Sequence, residues 1–164
     1  FFFNIYSNHK LKEKILIYFL KNLSVDNNNI LIKSFVNVKL PRLINPTALQ
    51  CLIRHKQEGH RIIIISASLE DYVGMWGNSI GVNDIACTNL VRLSGRITGR
   101  ILGYNCYGIE KLARLINILG PLDKYELYVY GDSEGDYDIL NIADYPFYRK
   151  FSMWIKHLYV KYDI

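Results

Sequence analysis

Gly59-His-Arg-Ile-Ile-Ile-Ile-Ser-Ala-Ser68 is the stretch on which the fold turns. Its four consecutive isoleucines, Ile62 to Ile65, show no polar alternation. A run of that kind predicts a strand, Arg61 to Ser66, buried on both faces as in a parallel sheet covered by helices. Just upstream, Asn45-Pro46 offers an N-cap and a first-turn proline, and Glu58-Gly59 offers a stop, so a helix is expected from Pro46 to about Glu58. Downstream the alternation recurs. Leu69 to about Ser79 reads as a helix and Ile85 to Leu90 as a short strand. Gly108 to Leu119 reads as a helix with Ile109, Leu112, Leu115, Ile116 and Leu119 on its apolar side. Tyr125 to Tyr130 reads as a strand, followed by a loop, a helix to Ala143 and a short strand near Phe147. This order predicts an α/β fold built on a Rossmann-like, doubly wound parallel sheet.

Two segments stand outside the alternation. Val91 to Gly103 reads as two short strands about Ser94-Gly95, a β-hairpin flap that such a sheet does not need for its own stability. Lys10 to Lys21 places Leu11, Ile15, Leu16 and Leu20 at helical spacing with lysines between them, and Ser24 caps a second helical stretch ending before Pro41. Asn27 to Asn29 mark a loop or a weak helix there. Residues 1–44 are therefore expected to be part of a small helical cap, and residues 45–164 the α/β core.

Composition narrows the function. With 164 residues, 50% hydrophobic and 21% charged, the chain has material for a real core and is unlike a disordered segment. Its longest run without Asp, Glu, Lys or Arg is Tyr72 to Asn83, too short for a membrane span, so no membrane partner is expected. Cys51, Cys87 and Cys106 are odd in number and lack CxxC spacing, which argues against a disulfide scaffold or a zinc site and for a reducing cytoplasm. The net charge is +5, yet the tightest basic group is only Lys10, Lys12 and Lys14. We read those lysines as a solvated helix face and expect no nucleic-acid partner. The chain opens on Phe1 rather than Met, which raises the expectation that an N-terminal piece has been lost.

In an open α/β sheet, ligands bind beyond the carboxyl ends of the strands. One such end is Ser66-Ala67-Ser68; the other is Gly131-Asp132-Ser133-Glu134-Gly135-Asp136. Residues 123–144 hold seven acids against one base. Carboxylates crowded in this way repel one another unless a cation offsets them, and Mg²⁺ suits hard oxygen ligands. The plainer reading is a solvated acidic loop with Asp136 capping the next helix. Ser66 and Ser68 are equally either helix caps or anion ligands. Lys111 lies in the first turn of its helix, where the macrodipole disfavours a cation, so it is slightly misplaced for stability and better explained by a bound phosphate. His55 and His60 flank a helix end as surface groups, and Cys106 has no histidine placed in sequence to make it a nucleophile.

Taken together, Gly59 to Ser68, Gly95-Arg-Ile-Thr-Gly-Arg100, Asn105-Cys-Tyr-Gly-Ile-Glu-Lys111, Tyr130 to Asp136, Ala143-Asp144 and Pro146-Phe-Tyr148 resemble the haloacid dehalogenase superfamily in its phosphoserine-phosphatase-like branch, subfamily IB. Ser7 to Leu43 are more weakly similar to its helical cap. The resemblance implies hydrolysis of a phosphomonoester, a small phosphorylated metabolite, through a phosphoaspartate with Mg²⁺. It implies that Ser66 and the backbone of Ala67 bind a phosphate oxygen. Lys111 would neutralise charge on the nucleophile and phosphoryl group, and Asp132 would ligate the metal with Asp136 as its neighbour. The family's first motif, Asp-x-Asp-x-Thr at the end of the first strand, has no counterpart: no aspartate precedes Asp26, which is read as lying in an Asn-rich loop, and Phe1 to Tyr6 align better with the cap. The chain is thus expected to be either a fragment lacking its nucleophile and a central strand, or a non-catalytic derivative that binds a partner or phosphorylated ligand.

Overall fold

The isoleucine run does form a strand, but among the described residues its outer edge has no partner. In the computed structural model, which describes residues 8–150, β1 (Ile63–Leu69) pairs in parallel with β2 (Asp84–Leu93), Ile63 opposite Asp84 and Ser66 opposite Cys87. A crossover helix, α4 (Glu70–Ser79), joins them. β2 runs on without interruption into an antiparallel pair with β3 (Arg96–Leu102), so the expected short strand and flap are one continuous element. A second sheet holds β4 (Tyr128–Gly131) and β5 (Tyr145–Tyr148), paired in parallel. The architecture is therefore the doubly wound α/β fold, with a mixed three-stranded sheet and a parallel two-stranded one.

Among the described residues, β1 and β4 each have one unpaired edge. Between them lies a cavity of about 620 Å³ lined by Ile62 to Ile65 on one side and Tyr125 to Tyr130 on the other. The isoleucines are consequently half-buried rather than buried on both faces. The helix α5 (Ile109–Leu119) turns Leu115 and Leu119 toward the same cavity, and with Lys111 these form its inward stripe at four-residue spacing. Ile109 and Ile116, expected on the apolar side, are exposed. Two further boundaries move. β4 starts at Tyr128 because the Leu127 N–H is taken by the Asp144 carboxylate at 2.8 Å, outside the strand ladder. The helix α6 (Tyr137–Leu140) stops short of Ala143 and follows a 3₁₀ turn over Glu134–Asp136.

Of the N-terminal helices, α1 (Asn8–Leu20) and α2 (Val25–Ser34) form where expected, and the Ser24 side chain accepts from the Asn27 N–H at 3.2 Å. Asn27 to Asn29 are helical, Asp26 lies in the first turn of α2 rather than in a loop, and Asn28 is buried with its amide donating to Asp71 at 3.3 Å. The stretch does not end before Pro41. It continues through a π-helical turn, Phe35–Lys39, into a 3₁₀ turn, Leu40–Arg42, where proline's missing N–H costs nothing. The helix α3 (Pro46–Gln57) has the predicted Asn45 cap, donated to by Thr47 and Ala48. The reading of Phe1 to Tyr6 lies outside the described residues.

The hairpin is no dispensable flap. Leu90, Ile97 and Ile101, at most 6% exposed, form a buried cluster against Leu16 and Leu20 of α1 and against Leu69. The helix comes so close that a Cβ on Gly99 would stand 2.4 Å from the Ile17 Cα, and Gly99 has φ +78°. Gly99→Ala should therefore cost about 3 kcal/mol, combining strain at positive φ with a displaced helix. Gly95→Ala, at φ +72° with no atom within 4 Å of the added carbon, should cost only about 1 kcal/mol. Equal losses in urea unfolding would mean that α1 does not press on this strand. Among the described residues, no helix is long and apolar enough to cross a membrane.

Candidate active site

The loop after β4 is organised by one buried carboxylate. Asp136 Oδ2 accepts from the Asp132 N–H at 3.1 Å, the Ser133 N–H at 3.0 Å and the Ser133 hydroxyl at 2.8 Å. Its Oδ1 accepts from Lys111 Nζ at 2.5 Å. Gly131 makes room for this, since a Cβ there would meet Asp136 Cβ at 2.4 Å. Burial alone would raise the Asp136 pKa, but hydrogen bonds from Lys111 and Ser133 and the Lys111 charge outweigh it and hold the carboxyl below its ordinary range. The loop is thus not simply a solvated acidic turn. Lys111, at 7% exposure, is aimed at Asp136, which explains a cation in the first turn of α5.

Asp132 differs from Asp136 in environment. It is exposed, and among the described residues no donor claims its carboxylate. Mg²⁺ is usually held by one or two carboxylates with water and substrate phosphate completing the shell. Asp132 fits that role as a hard-oxygen ligand on a rigid turn, whereas Asp136, with four donors on its two oxygens, fixes the turn.

Ser66 lies within β1, which runs on past the expected end at Ser66 to Leu69. The β1–β2 register jumps from Ser66 opposite Cys87 to Leu69 opposite Thr88, so Ala67 and Ser68 bulge out of the ladder. Ser66 Oγ accepts the Ser68 N–H at 3.1 Å, which leaves its own proton to point elsewhere. Neither serine caps α4, whose N-cap position is Leu69 without a side-chain bond. The buried Cys106 thiol donates to the Ala86 carbonyl at 3.5 Å and is within reach of the Lys111 charge. Burial pushes Cys106 up and Cys87 up to about 12, so both are neutral thiols near neutral pH. The loop before α5 is tied to the acidic turn by the Gly108 N–H donating to the Gly135 carbonyl at 3.0 Å. Lys111, Asp136 and Asp132 are thereby gathered on one side, and Ser66 and Ala67 on the other.

The cavity between β1 and β4 has Asp136 among its lining residues and also reaches His55 and His60. His55 is not a surface group. It is buried, with Nε2 at 2.9 Å from the Tyr130 hydroxyl and Nδ1 at 2.7 Å from His60 Nδ1, and burial followed by the His60 charge lowers its pKa. The ligand atoms of His55, Glu58 and His60 lie within 4.8 Å of one another. The Nδ1–Nδ1 separation is that of a hydrogen bond, shorter than the about 3.3 Å edge of a tetrahedral zinc site.

One group at the site escaped the sequence reading altogether. Lys12 is no part of a solvated face: its ammonium donates to the Ala67 carbonyl, to Thr88 Oγ1 at 3.3 Å and to Asn105 Oδ1 at 2.6 Å. Its position on the stripe Lys12, Leu16, Leu20, each four residues apart, was the available signal.

Residues 3–141 match the haloacid dehalogenase-like hydrolase family. The chain belongs to that family. It is 33% identical over 144 residues to Protein CicA of Caulobacter vibrioides, covering 87% of this chain and 64% of that protein's length. It is 31% identical over 116 residues to a probable phosphatase of Mycobacterium tuberculosis, covering 66% of this chain and 40% of that one. Among solved structures, a protein of unknown function from Bordetella pertussis Tohama I superposes with a TM-score of 0.78 at 20% identity, over 87% of this chain and 66% of that one. An apo phosphoserine phosphatase superposes with a TM-score of 0.55 at 20% identity, over 82% and 66%. At such identity the structural likenesses speak for the fold alone. The chain spans about two thirds of the length of the CicA protein.

Proposed function

We propose that this haloacid dehalogenase-like chain is the larger part of a Mg²⁺-dependent phosphomonoester phosphatase whose nucleophilic aspartate is carried on a strand filling the gap between β1 and β4. The observation that carries the reading is the cavity itself, flanked by the backbones of β1 and β4, apolar along Ile62 to Ile65, and reaching Asp136 at the loop where Lys111 and Asp132 gather. A strand laid there would end beside Ser66 and the acidic turn. The substrate is a small phosphorylated metabolite, residues 1–44 are part of the cap over it, and neither nucleic acid nor membrane takes part.

Charge on a transferring phosphoryl group must be spread over fixed donors and cations. Ser66 gives its hydroxyl proton to one phosphate oxygen, helped by the backbone N–H of Ala67. Lys111, fixed by Asp136, sets a positive charge beside the incoming aspartate and the phosphoryl oxygens. Mg²⁺, held by Asp132 with the strand's own carboxylates, would supply the remaining neutralisation. In a chain extended by an apolar strand ending in Asp-x-Asp-x-Thr, turnover of a generic phosphomonoester should require Mg²⁺. Asp132→Asn in that protein should raise the Mg²⁺ concentration for half-maximal rate about tenfold, the weight of one charged ligand, and leave the melting temperature unchanged because the side chain is exposed. Metal dependence identical in the variant would remove Asp132 from the site.

A further inference from the structure

We propose that Lys12 is a positioning residue that ties helix α1 to the phosphate-binding turn Ser66–Ser68, so that anion binding on the core and docking of α1 are coupled. The inference rests on the reading of Ser66 as a phosphate ligand and adds to it a device that no resemblance supplies. Its basis is a set of contacts between segments 55 to 93 residues apart in sequence.

The Lys12 ammonium has three protons and three oxygens to receive them: the Ala67 carbonyl, Thr88 Oγ1 and Asn105 Oδ1. All three acceptors are neutral, and among the described residues no carboxylate pairs with it. Burial lowers its pKa. A half-buried cation without a counter-charge is a poor structural staple, since an apolar side chain of the same length would fill the place without the desolvation cost. Such a charge is balanced when an anion binds nearby.

The bonds lead toward that anion. The Ala67–Ser68 peptide accepts at its carbonyl from Lys12 and from Thr88 Oγ1 at 2.8 Å, and donates at its N–H to Ser66 Oγ at 3.1 Å. Polarising the carbonyl strengthens that N–H, and the Ser66 hydroxyl that accepts it becomes the better donor to a phosphate oxygen. Thr88 is fully buried and also accepts from the Cys106 N–H at 3.1 Å, so the acceptor frame under Lys12 is rigid. On the other side, Lys12 shares its helix with Leu16 and Leu20, which are packed on the Leu90, Ile97 and Ile101 cluster. Detaching α1 therefore releases the peptide, and by linkage an anion held better with α1 docked must hold α1 down by the same factor.

The test uses the 164-residue chain with inorganic phosphate as the probe, its affinity read by calorimetry and α1 by amide hydrogen exchange. Saturating phosphate should slow exchange of the Leu11 to Leu20 amides at least threefold. Lys12→Met should weaken phosphate binding about tenfold and abolish that protection while leaving the circular dichroism unchanged, and Lys12→Arg should restore both to within about threefold. Should Lys12→Met fail to fold, Lys12→Gln, which keeps one donor to Ala67 without the charge, serves in its place against Lys12→Arg. Phosphate binding that falls in Ser66→Ala but is untouched in the Lys12 variants overturns the role of Lys12 and leaves the phosphate site standing. Failure of the unsubstituted chain to bind phosphate at all overturns the reading of Ser66, and the coupling with it.

Discussion

Lys111→Met is expected to destabilise the chain by about 3–5 kcal/mol, the cost of leaving a buried carboxylate without its partner. The macrodipole argument alone points the other way, since taking a cation from the first turn of a helix should gain a few tenths of a kcal/mol. The magnitudes decide between them. Lys111 and Asp136 side chains are 9% and 7% exposed and 2.5 Å apart, so the dipole term is an order of magnitude too small. The double variant Lys111→Met/Asp136→Asn should recover part of the loss, because the orphaned charge is then gone. The pH dependence has a definite sign. Asp136 titrates below its ordinary range in the folded chain, so its contribution is complete above the unfolded carboxyl value of about 3.9 and is lost as pH falls through the folded value. In Lys111→Met burial is opposed only by the neutral donors Asp132 N–H, Ser133 N–H and the Ser133 hydroxyl, and loss of stability on acidification should be shallower or reversed. Urea unfolding of both proteins between pH 2 and 7 measures this. Parallel curves, or a stability change under 1 kcal/mol, would show that the pair carries little of the fold.

The distribution of what was legible follows from what local sequence encodes. Caps and periodicity are local, so Asn45, Ser24, the isoleucine strand and the α5 spacing placed most elements to within a few residues. Strand edges are not local. Ile62 to Ile65 read as buried on both faces because their composition suits that setting, and only the sheet order reveals that among the described residues one side lacks a neighbour. The same holds for side chains whose role depends on a distant partner. Asp132 and Asp136 look alike in the sequence, and four donors converging on one of them separate a fixed carboxylate from an exposed one. Lysines at 10, 12 and 14 likewise read as one charged face, yet α1 turns the middle one inward onto Ala67 and Asn105. His55 was misplaced for a similar reason: its partner Tyr130 is 75 residues away.

The 164-residue chain by itself should be inactive on phosphomonoesters, inclined to self-associate, and markedly stabilised by a strand supplied to the gap. Ser66 and Lys111 can hold a phosphate and Asp132 a metal ion, but among the described residues no base is hydrogen-bonded to the Ser66 hydroxyl to make it a nucleophile. Among the described residues the edges of β1 and β4 that face the gap have no strand partner, and each backbone group buried without a partner costs roughly 1–3 kcal/mol, against a total stability of about 5–15 kcal/mol. Open edges of this kind also pair with those of other copies. Five apolar residues in the gap would contribute about 7–15 kcal/mol by burial, less about 7 kcal/mol for ordering their backbone, before any ladder bonds are counted. A net of a few kcal/mol raises the melting temperature by about 10 °C in a chain of this size. Three proteins separate the effects: the chain alone, the chain extended by an apolar strand ending in Asp-x-Asp-x-Thr, and the same extension with its first Asp replaced by Asn. Both extensions should be monomeric and more stable, and only the one with the intact Asp should hydrolyse a generic phosphomonoester with Mg²⁺. Metal-dependent turnover by the unextended chain would place the nucleophile elsewhere. Extension without any gain in stability would mean that the gap between β1 and β4 is not a strand's place.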